Sequence, residues 1–209
     1  MAAVVAPDAW YLKGGLSTAG LEEALTGRSF VAARRIGKLL LLDVAGGQTL
    51  GLRFGMTGRL LVDGSAGVDD LVYASTRDEV GWDRLRVEFV DGGDLRVRDP
   101  RRLGGVFLDP DESRLGVDGL AVTASGLRRV LDASTAPLKA RLMDQARLAG
   151  VGNLAADEIL FRAGLDPGRP AGSLSPAELR RLHRHLVGTL ADLIAGGGSH
   201  TGSLQASRV

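Results

Sequence analysis

One basic stretch near the start of the chain has the composition of a phosphate-binding segment. Arg34-Arg35-Ile36-Gly37-Lys38 places three basic side chains within five residues, just before the apolar run Leu39–Leu42. Basic side chains at the start of a strand can neutralise the backbone phosphates of a nucleic acid. A solvated strand end has the same composition, so both interpretations stay open on this segment alone.

Two further stretches combine arginine and glycine with an apolar side chain. In Arg53-Phe54-Gly55-Met56-Thr57-Gly58-Arg59, glycines flank a methionine at the tip of a predicted loop. In Arg98-Asp99-Pro100-Arg101-Arg102-Leu103-Gly104-Gly105, a turn presents two arginines and a leucine. An apolar residue between basic residues is suited to insertion into a stack of bases. Both stretches therefore favour a wedge-type contact with nucleic acid.

A fourth stretch favours an anion site at the start of a helix. Lys139–Gln145 is followed by Ala149-Gly150-Val151-Gly152-Asn153, a glycine-rich turn that leads into a predicted helix. The free backbone N–H groups at a helix N-terminus bind anions such as phosphate. An ordinary capped helix has the same pattern.

Other kinds of chemistry are poorly supported. The chain has no cysteine, which excludes disulfides, thiolate catalysis and cysteine-based zinc sites. It has no P-loop, no Gly-x-Ser-x-Gly elbow and no His-Glu-x-x-His motif. His183 and His185 are two residues apart on a predicted helix, so they cannot share a ligand. We therefore expect no catalytic site of these kinds, no metal and no cofactor.

Charge and hydropathy add a weak indication of an anionic partner. The net charge is +1, but from residue 116 onward 11 basic residues stand against 8 acidic ones. A solvated surface gives the same count. No apolar run of about 18 residues and no signal-peptide pattern occur, so we expect no membrane association and a cytoplasmic location.

The pattern of apolar, polar and glycine residues changes near residue 115, and the two patterns together predict an α+β fold. In the first part, short runs with alternating or apolar character are separated by glycine turns, as in an antiparallel β-sandwich or barrel. One short helix, Thr18–Leu25, is predicted before the sheet. The predicted strands are Ser29–Arg35, Leu39–Val44, Thr49–Phe54, Leu60–Val62, Arg84–Val90, Leu95–Arg98 and Gly105–Leu108.

The second part is predicted to be helical. Ser175-Pro176-Ala177-Glu178 is a strong helix start, with a serine N-cap, proline in the first turn and a glutamate at the third position. We predict a sandwich domain over 1–110, a polar hinge over 111–122 and a helical domain over 123–209. The predicted helices are Ser125–Leu131, Leu138–Gln145, Asn153–Ala163 and Ser175–Ala195.

Taken together, the motifs resemble the formamidopyrimidine-DNA glycosylase/endonuclease VIII (Fpg/Nei) family from about Asp8 to Ser207. Five stretches match in the family's order and with similar spacing. The resemblance implies an N-terminal β-sandwich domain, a hinge and a helical domain with a helix–two-turns–helix element, with DNA lying across the cleft between the domains. The matching stretches are Ile36–Leu42, Phe54–Leu60, Asp99–Gly104, Leu138–Asp144 and Gly150–Phe161.

The resemblance also implies roles for individual residues. Lys38, Arg53 and Asn153 correspond to residues that hold DNA phosphates at the lesion. Lys139 corresponds to a lysine near the damaged-base pocket. The positions that fill the void left by an extruded base are Met56, Arg101 and Leu103. The family often has phenylalanine where Leu103 stands, so stacking there is expected to be weaker.

Two features of the family are expected to be missing from this chain. The family's nucleophile is an N-terminal proline amine followed by glutamate, whereas this chain begins Met1-Ala2-Ala3 and Pro7 is internal. No catalytic residue is therefore assigned. The family's C-terminal zinc finger has no counterpart, because Gly196–Val209 contains no cysteine.

The resemblance implies a base-excision repair protein that acts as a glycosylase and abasic-site lyase on oxidised bases. We expect a monomer that binds duplex DNA with an oxidised base or an abasic site, in the cytoplasm and at the nucleoid of a bacterial-type cell. Catalysis by this chain is expected to be poor. A binding module for damaged DNA without chemistry is the alternative, and a scaffold that binds protein through its helical part is a third.

Overall fold

The computed structural model describes residues 1–67, 75, 77 and 79–198. The chain forms two compact units, Met1–Pro110 and a second that begins at Asp111. None of the helices in the described ranges is long and apolar enough to cross a membrane. Most of the predicted Gly196–Val209 segment, including His200, lies outside the described residues.

Within the described residues, the first unit contains two antiparallel sheets and one α-helix, so the predicted antiparallel β-sandwich is confirmed. The elements are β1 (Ala3–Val5), α1 (Thr18–Leu25), β2 (Phe30–Ile36), β3 (Leu39–Val44), β4 (Thr49–Arg53), β5 (Arg59–Val62), β6 (Ser65–Ala66), β7 (Asp83–Glu88), β8 (Asp94–Arg98) and β9 (Gly105–Leu108). The strand orders are β1-β7-β8-β5-β6 in one sheet and β2-β3-β4-β9 in the other.

Apolar residues from both sheets form one core. In β7, Leu85 and Val87 are fully buried while Arg86 between them is exposed, as expected for a strand with one buried face. Leu50 and Leu52 of β4 belong to the same core cluster. This two-sheet core is the rigid base from which the loops at the strand ends project.

The first predicted strand begins at Ser29, so β1 is an addition that the structure reveals. β1 is an edge strand of three residues that pairs with β7 in the register Ala3↔Glu88 and Val5↔Arg86. Such a short strand contains too few residues to show an alternating pattern. β6, a strand of two residues, is missed for the same reason. The other boundaries in this unit differ from the predicted ones by at most two residues.

The second unit is helical, as predicted. Its long last helix has the predicted capping box, in which the Ser175 side chain accepts from the Glu178 backbone and the Glu178 side chain accepts from the Ser175 backbone. The elements are β10 (Val117–Asp118), α2 (Ala124–Leu131), α3 (Leu138–Met143), β11 (Leu148–Ala149), α4 (Asn153–Ala163) and α5 (Pro176–Ala195).

The segment 111–122, predicted to be a hinge, belongs to the second unit in the structure. β10 pairs with β11 in parallel, and the Gly119 N–H donates to the Ala149 carbonyl at 2.8 Å. A ring nitrogen of His183 lies 2.8 Å from the Val122 carbonyl oxygen. These contacts attach the segment to the helices of the second unit. The hinge was predicted from polar composition, which carries no information about such contacts.

Candidate nucleic-acid interface

The buried carboxylate of Asp99 joins three segments of the first unit. Its two oxygens accept hydrogen bonds from the Thr57 hydroxyl at 2.5 Å, the Tyr11 hydroxyl at 3.2 Å and the backbone N–H groups of Gly104 at 2.8 Å and Arg101 at 3.2 Å. Asp99 and Thr57 are both fully buried. A buried charge with several donors is well stabilised, so this carboxylate holds the two predicted wedge loops in one arrangement.

The two loops touch each other through glycines. A Cβ on Gly55 would lie 2.7 Å from the Cβ of Leu103, and a Cβ on Gly104 would lie 2.1 Å from the Arg53 carbonyl oxygen. Gly55 also has a φ of +59°, which L side chains rarely adopt. Only glycine allows this close approach, and it brings the loop of Met56 directly against the loop of Leu103.

Met56 and Leu103 are exposed, unlike the core residues of the same sheets. Their exposed fractions are 41% and 45%. Arg101, two residues before Leu103, is exposed as well. The structure thus brings the three predicted void-filling positions onto two adjacent loops, with two apolar side chains and one cation facing solvent.

Arg102 has a different environment from Arg101. Its guanidinium donates to both carboxylate oxygens of Asp8, with 2.6 Å from Nε to Oδ2, and Arg84 approaches the same carboxylate at 3.4 Å. The φ of Arg102 is +58°, a strained value for a residue with a side chain. The ion pair to buried Asp8 keeps Arg102 in this conformation, and this determines the course of the loop between Arg101 and Leu103.

The hydrogen bond from Arg102 holds the pKa of Asp8 below its usual range, and the charges of Arg102 and Arg84 act in the same direction. A lowered folded-state pKa stabilises the fold above the ordinary value of about 3.9, and this contribution disappears as the pH falls through the folded value. We expect the free energy of unfolding to fall below about pH 4, and to fall less steeply in Asp8→Asn.

Urea unfolding at a series of pH values between neutral and acid measures this dependence. Asp91→Asn, which changes an exposed hairpin residue, is the matched control and should follow the wild-type curve. Equal slopes for Asp8→Asn and the wild type would show that the Asp8–Arg102 pair has no such role.

Lys38 and Arg53 lie at the same end of the four-stranded sheet. Lys38 is in the turn between β2 and β3, and Arg53 is the last residue of β4, one position beyond the Leu40↔Leu52 pair. The Lys38 side chain is exposed, yet neighbouring protein atoms partly desolvate its ammonium, and together with the Arg53 charge they lower its pKa. Two neighbouring cations favour an anion between them.

The turns between α3 and α4 are held by one side chain. The Gln145 amide nitrogen donates to the carbonyls of Met143 and Val151 at 2.7 and 2.8 Å, and its amide oxygen accepts from Gly150 N–H at 3.1 Å. α3 ends at Met143, two residues before the predicted end, and Gln145 lies in the following turn, where its side chain makes these three hydrogen bonds. α4 then begins at Asn153, as predicted, and the Asn153 side chain is exposed.

Lys139 has a partner that the sequence did not reveal. Its ammonium lies 2.7 Å from an Asp157 carboxylate oxygen. Asp157 stands four residues after Asn153 on α4, so the two side chains share a face of that helix. The structure therefore places the Lys139 ammonium within about one helical turn of the Asn153 helix start. A shallow, mostly apolar groove lined by Pro137, Ala140, Met143 and Pro167 lies beside it.

In the ranges that the structure describes, no group of three or more His, Asp or Glu side chains is arranged to hold a metal ion. In the first unit, Met56 and Leu103 are exposed apolar side chains, and Arg53 and Arg101 are exposed cations. In the second unit, Lys139 lies near the Asn153 helix start. Cations and a helix start suit phosphates, and an exposed apolar side chain beside cations suits insertion between bases.

Comparison with known proteins identifies the two units. The model of the formamidopyrimidine-DNA glycosylase N-terminal domain matches residues 2–106, and that of the formamidopyrimidine-DNA glycosylase H2TH domain matches residues 115–204. Formamidopyrimidine-DNA glycosylase of Cereibacter sphaeroides is 36% identical over 189 residues, which is 86% of this chain and 66% of that protein. The protein of the same name from Burkholderia cenocepacia is 38% identical, with 87% and 66% covered. The chain thus spans about two thirds of the length of these relatives.

Solved structures share the same fold. The MutM (Fpg) protein of Thermus thermophilus superimposes with a TM-score of 0.74 at 33% identity, covering 94% of this chain and 69% of that one. Lactococcus lactis Fpg in complex with DNA containing an abasic site superimposes with a TM-score of 0.78 at 22% identity, covering 98% and 78%. With both units matched by domains of one family and with relatives above one-third identity, this chain belongs to the formamidopyrimidine-DNA glycosylase family.

Proposed function

We propose that this chain recognises duplex DNA at an abasic site or an oxidised base and serves base-excision repair. The observation that carries the proposal is the pair of exposed apolar side chains, Met56 and Leu103, on two touching loops fixed by buried Asp99. Extruding a nucleotide costs a few kcal/mol of stacking, and least where the base is damaged or absent. Met56 fills the vacated space, Leu103 separates the stack and Arg101 faces the orphan base.

Cations and a helix start supply the contacts to phosphates. Lys38 and Arg53 are neighbouring cations of the first unit. α4 begins at the exposed Asn153 without a side-chain cap, and the first N–H groups of a helix can bind an anion. Lys139 belongs beside the damaged base, where its ion pair with Asp157 keeps the ammonium near the helix start. We also propose that the chain acts as a monomer, on DNA in the cytoplasm of a bacterial-type cell.

DNA binding is expected to weaken steeply with salt. If about four phosphates are neutralised, the slope of log K against log salt is near −3.6. Lys38→Ala should make the slope less steep by about 0.9 and weaken binding to all sequences about equally. Anisotropy titrations of a labelled duplex at several salt concentrations measure both quantities.

Arg180→Ala is the control for this experiment, because Arg180 is an exposed cation of α5 outside the proposed contacts. Its slope should equal that of the wild type. A flat salt response, or no binding even at low salt, would remove the nucleic-acid interpretation.

A second candidate for these 209 residues is recognition of damaged DNA without efficient chemistry. The Met1 amine donates to the Arg28 carbonyl, and β1 meets β7 at the Glu88 end of that strand. The wedge loops lie at the Asp83 end, because Asp83 pairs with Arg98, the residue before Asp99. Five strand residues, or about 17 Å, separate the two ends. An amine at Met1 is therefore distant from the residues proposed to surround the lesion.

Borohydride trapping on abasic-site DNA is expected to give little covalent product with this chain. The family's reaction needs an amine placed at the sugar C1′, and misplacing a reacting group costs orders of magnitude in rate. Lys38→Ala and Lys139→Ala should trap as little as the wild type. Efficient trapping that survives blocking of the N-terminus, and is lost in either lysine variant, would reveal an internal lysine nucleophile and overturn this expectation.

A further inference from the structure

The most exposed large aromatic ring beside the wedge loops belongs to Trp10. The Trp10 side chain is 62% exposed, although the residue after it in the same short 3-10 turn, Ala9–Tyr11, is fully buried. That residue, Tyr11, donates its hydroxyl to Asp99. The Trp10 backbone is therefore attached to the same buried carboxylate that fixes the loops of Met56 and Leu103.

Two cations lie against the Trp10 ring. The Lys13 ammonium is 3.7 Å from the ring centroid and also donates to the Trp10 carbonyl at 2.8 Å. The Arg102 guanidinium is 5.6 Å from the centroid. Cations over an indole face are attracted by its quadrupole, so the ring is held in one orientation while its outer surface stays open. An ammonium has three donors, so Lys13 retains two for another acceptor.

The surface around Trp10 is continuous with the wedge loops. Arg102 stands between Arg101 and Leu103 in the sequence, and the Lys13 side chain runs against Gly105, where an added Cβ would lie 2.8 Å from its Cγ. The two carboxylates attached to these residues, Asp8 and Asp99, are both buried, and Asp8 is paired with Arg102 and Arg84. The exposed groups are therefore an indole and cations.

We propose that Trp10 and Lys13 form an additional DNA contact beside the wedge, in which Lys13 binds a backbone phosphate and the Trp10 ring packs on the adjoining deoxyribose or base. This inference rests on the proposed function, because it assumes that the neighbouring loops meet DNA. The pairing of a cation with an aromatic face matches a nucleic acid, which offers phosphate and planar or apolar surface side by side. An acidic protein partner would need the cations but not the exposed ring.

Intrinsic fluorescence tests this contact directly, since the chain has only two tryptophans. In Trp82→Phe, Trp10 is the sole tryptophan, and its quenching by neutral acrylamide is measured with and without saturating abasic-site duplex. We expect DNA to reduce the acrylamide quenching constant at least twofold. In parallel, Trp10→Phe should weaken duplex binding severalfold with an unchanged salt slope, and Lys13→Gln should make the slope less steep by about 0.9. Val90→Ala removes an exposed apolar side chain from a distant hairpin and should match the wild type.

The outcomes separate this inference from the proposed function. Unchanged acrylamide quenching of Trp10, with wild-type affinity in Trp10→Phe and Lys13→Gln, would overturn the Trp10 contact while abasic-site binding itself stands. No duplex binding by the wild type even at low salt would overturn both. If Trp10→Phe fails to fold, the quenching result in Trp82→Phe decides the question alone.

Discussion

Replacement of Asp99 by alanine is expected to lower the free energy of unfolding of the first unit by about 3–5 kcal/mol. The change leaves the buried Thr57 hydroxyl and the Gly104 N–H without their acceptor, and the Tyr11 hydroxyl keeps only its longer bond to the Arg53 carbonyl. Each buried donor left unpaired costs about 1–3 kcal/mol. A unit of this size loses about 4 °C of its unfolding midpoint per kcal/mol, so the midpoint should fall by roughly 12–20 °C. Thermal unfolding followed by circular dichroism measures the shift.

The same variant should lose its preference for abasic over intact DNA, because the two wedge loops no longer hold each other. Asp99→Asn retains one acceptor oxygen and should be intermediate in stability. Asp91→Ala, in an exposed hairpin, is the control and should change stability by less than about 0.5 kcal/mol. Wild-type stability and wild-type DNA preference in Asp99→Ala would refute the role given to this carboxylate.

Replacement of Met56 by alanine is expected to reduce the preference for abasic-site DNA at least tenfold while leaving binding to intact duplex nearly unchanged. Burying the methionine side chain in the vacated space contributes about 2 kcal/mol, which the methyl group of alanine cannot supply. The side chain is 41% exposed in the structure, so the protein's own stability should change little. Competition titrations with the two duplexes measure the preference.

Val90→Ala provides the comparison for Met56→Ala, because it also shortens an exposed apolar side chain. It should retain the full preference. If Met56→Ala instead weakens binding to both duplexes equally and lowers the unfolding temperature, Met56 is a structural residue and the wedge assignment is wrong.

Local pattern was sufficient to predict most of the elements. The helices Thr18–Leu25 and Asn153–Ala163 and the strand Leu39–Val44 have the predicted bounds, because caps, glycines and apolar periodicity all act within a few residues. The two-residue pair Val117–Asp118 and Leu148–Ala149 was not predicted. Its members are some thirty residues apart, and neither is long enough to show a pattern.

Long-range partners at the candidate site could not be predicted. The sequence points to Met56, Arg101 and Leu103 as loop residues, but it does not show that Asp99 accepts a bond from Tyr11, 88 residues away. The ion pair between Asp8 and Arg102 spans 94 residues and is equally hidden. Polar groups that are buried far apart in sequence carry no periodic signal, so only the folded chain reveals that these residues fix the loops.

In the helical unit, too, the local sequence predicts where an element begins but not which distant residue it contacts. The Asn153 helix start follows from the glycines before it, whereas the ion pair that gives Lys139 its position depends on the packing of α3 against α4. Gln145 ends the sequence stretch Lys139–Gln145, but its hydrogen bonds to Met143, Gly150 and Val151 depend on the geometry of the turn and could not be predicted.

The most direct test of the proposed function is the affinity of this 209-residue chain for two duplexes that differ at only one position, which holds either an intact nucleotide or a tetrahydrofuran abasic analogue. Anisotropy titration at one fixed salt concentration gives both dissociation constants. We expect the abasic duplex to bind at least about tenfold more tightly, because no base has to be unstacked before Met56 enters the space. Equal affinity for the two duplexes, with Met56→Ala indistinguishable from the wild type, would contradict it.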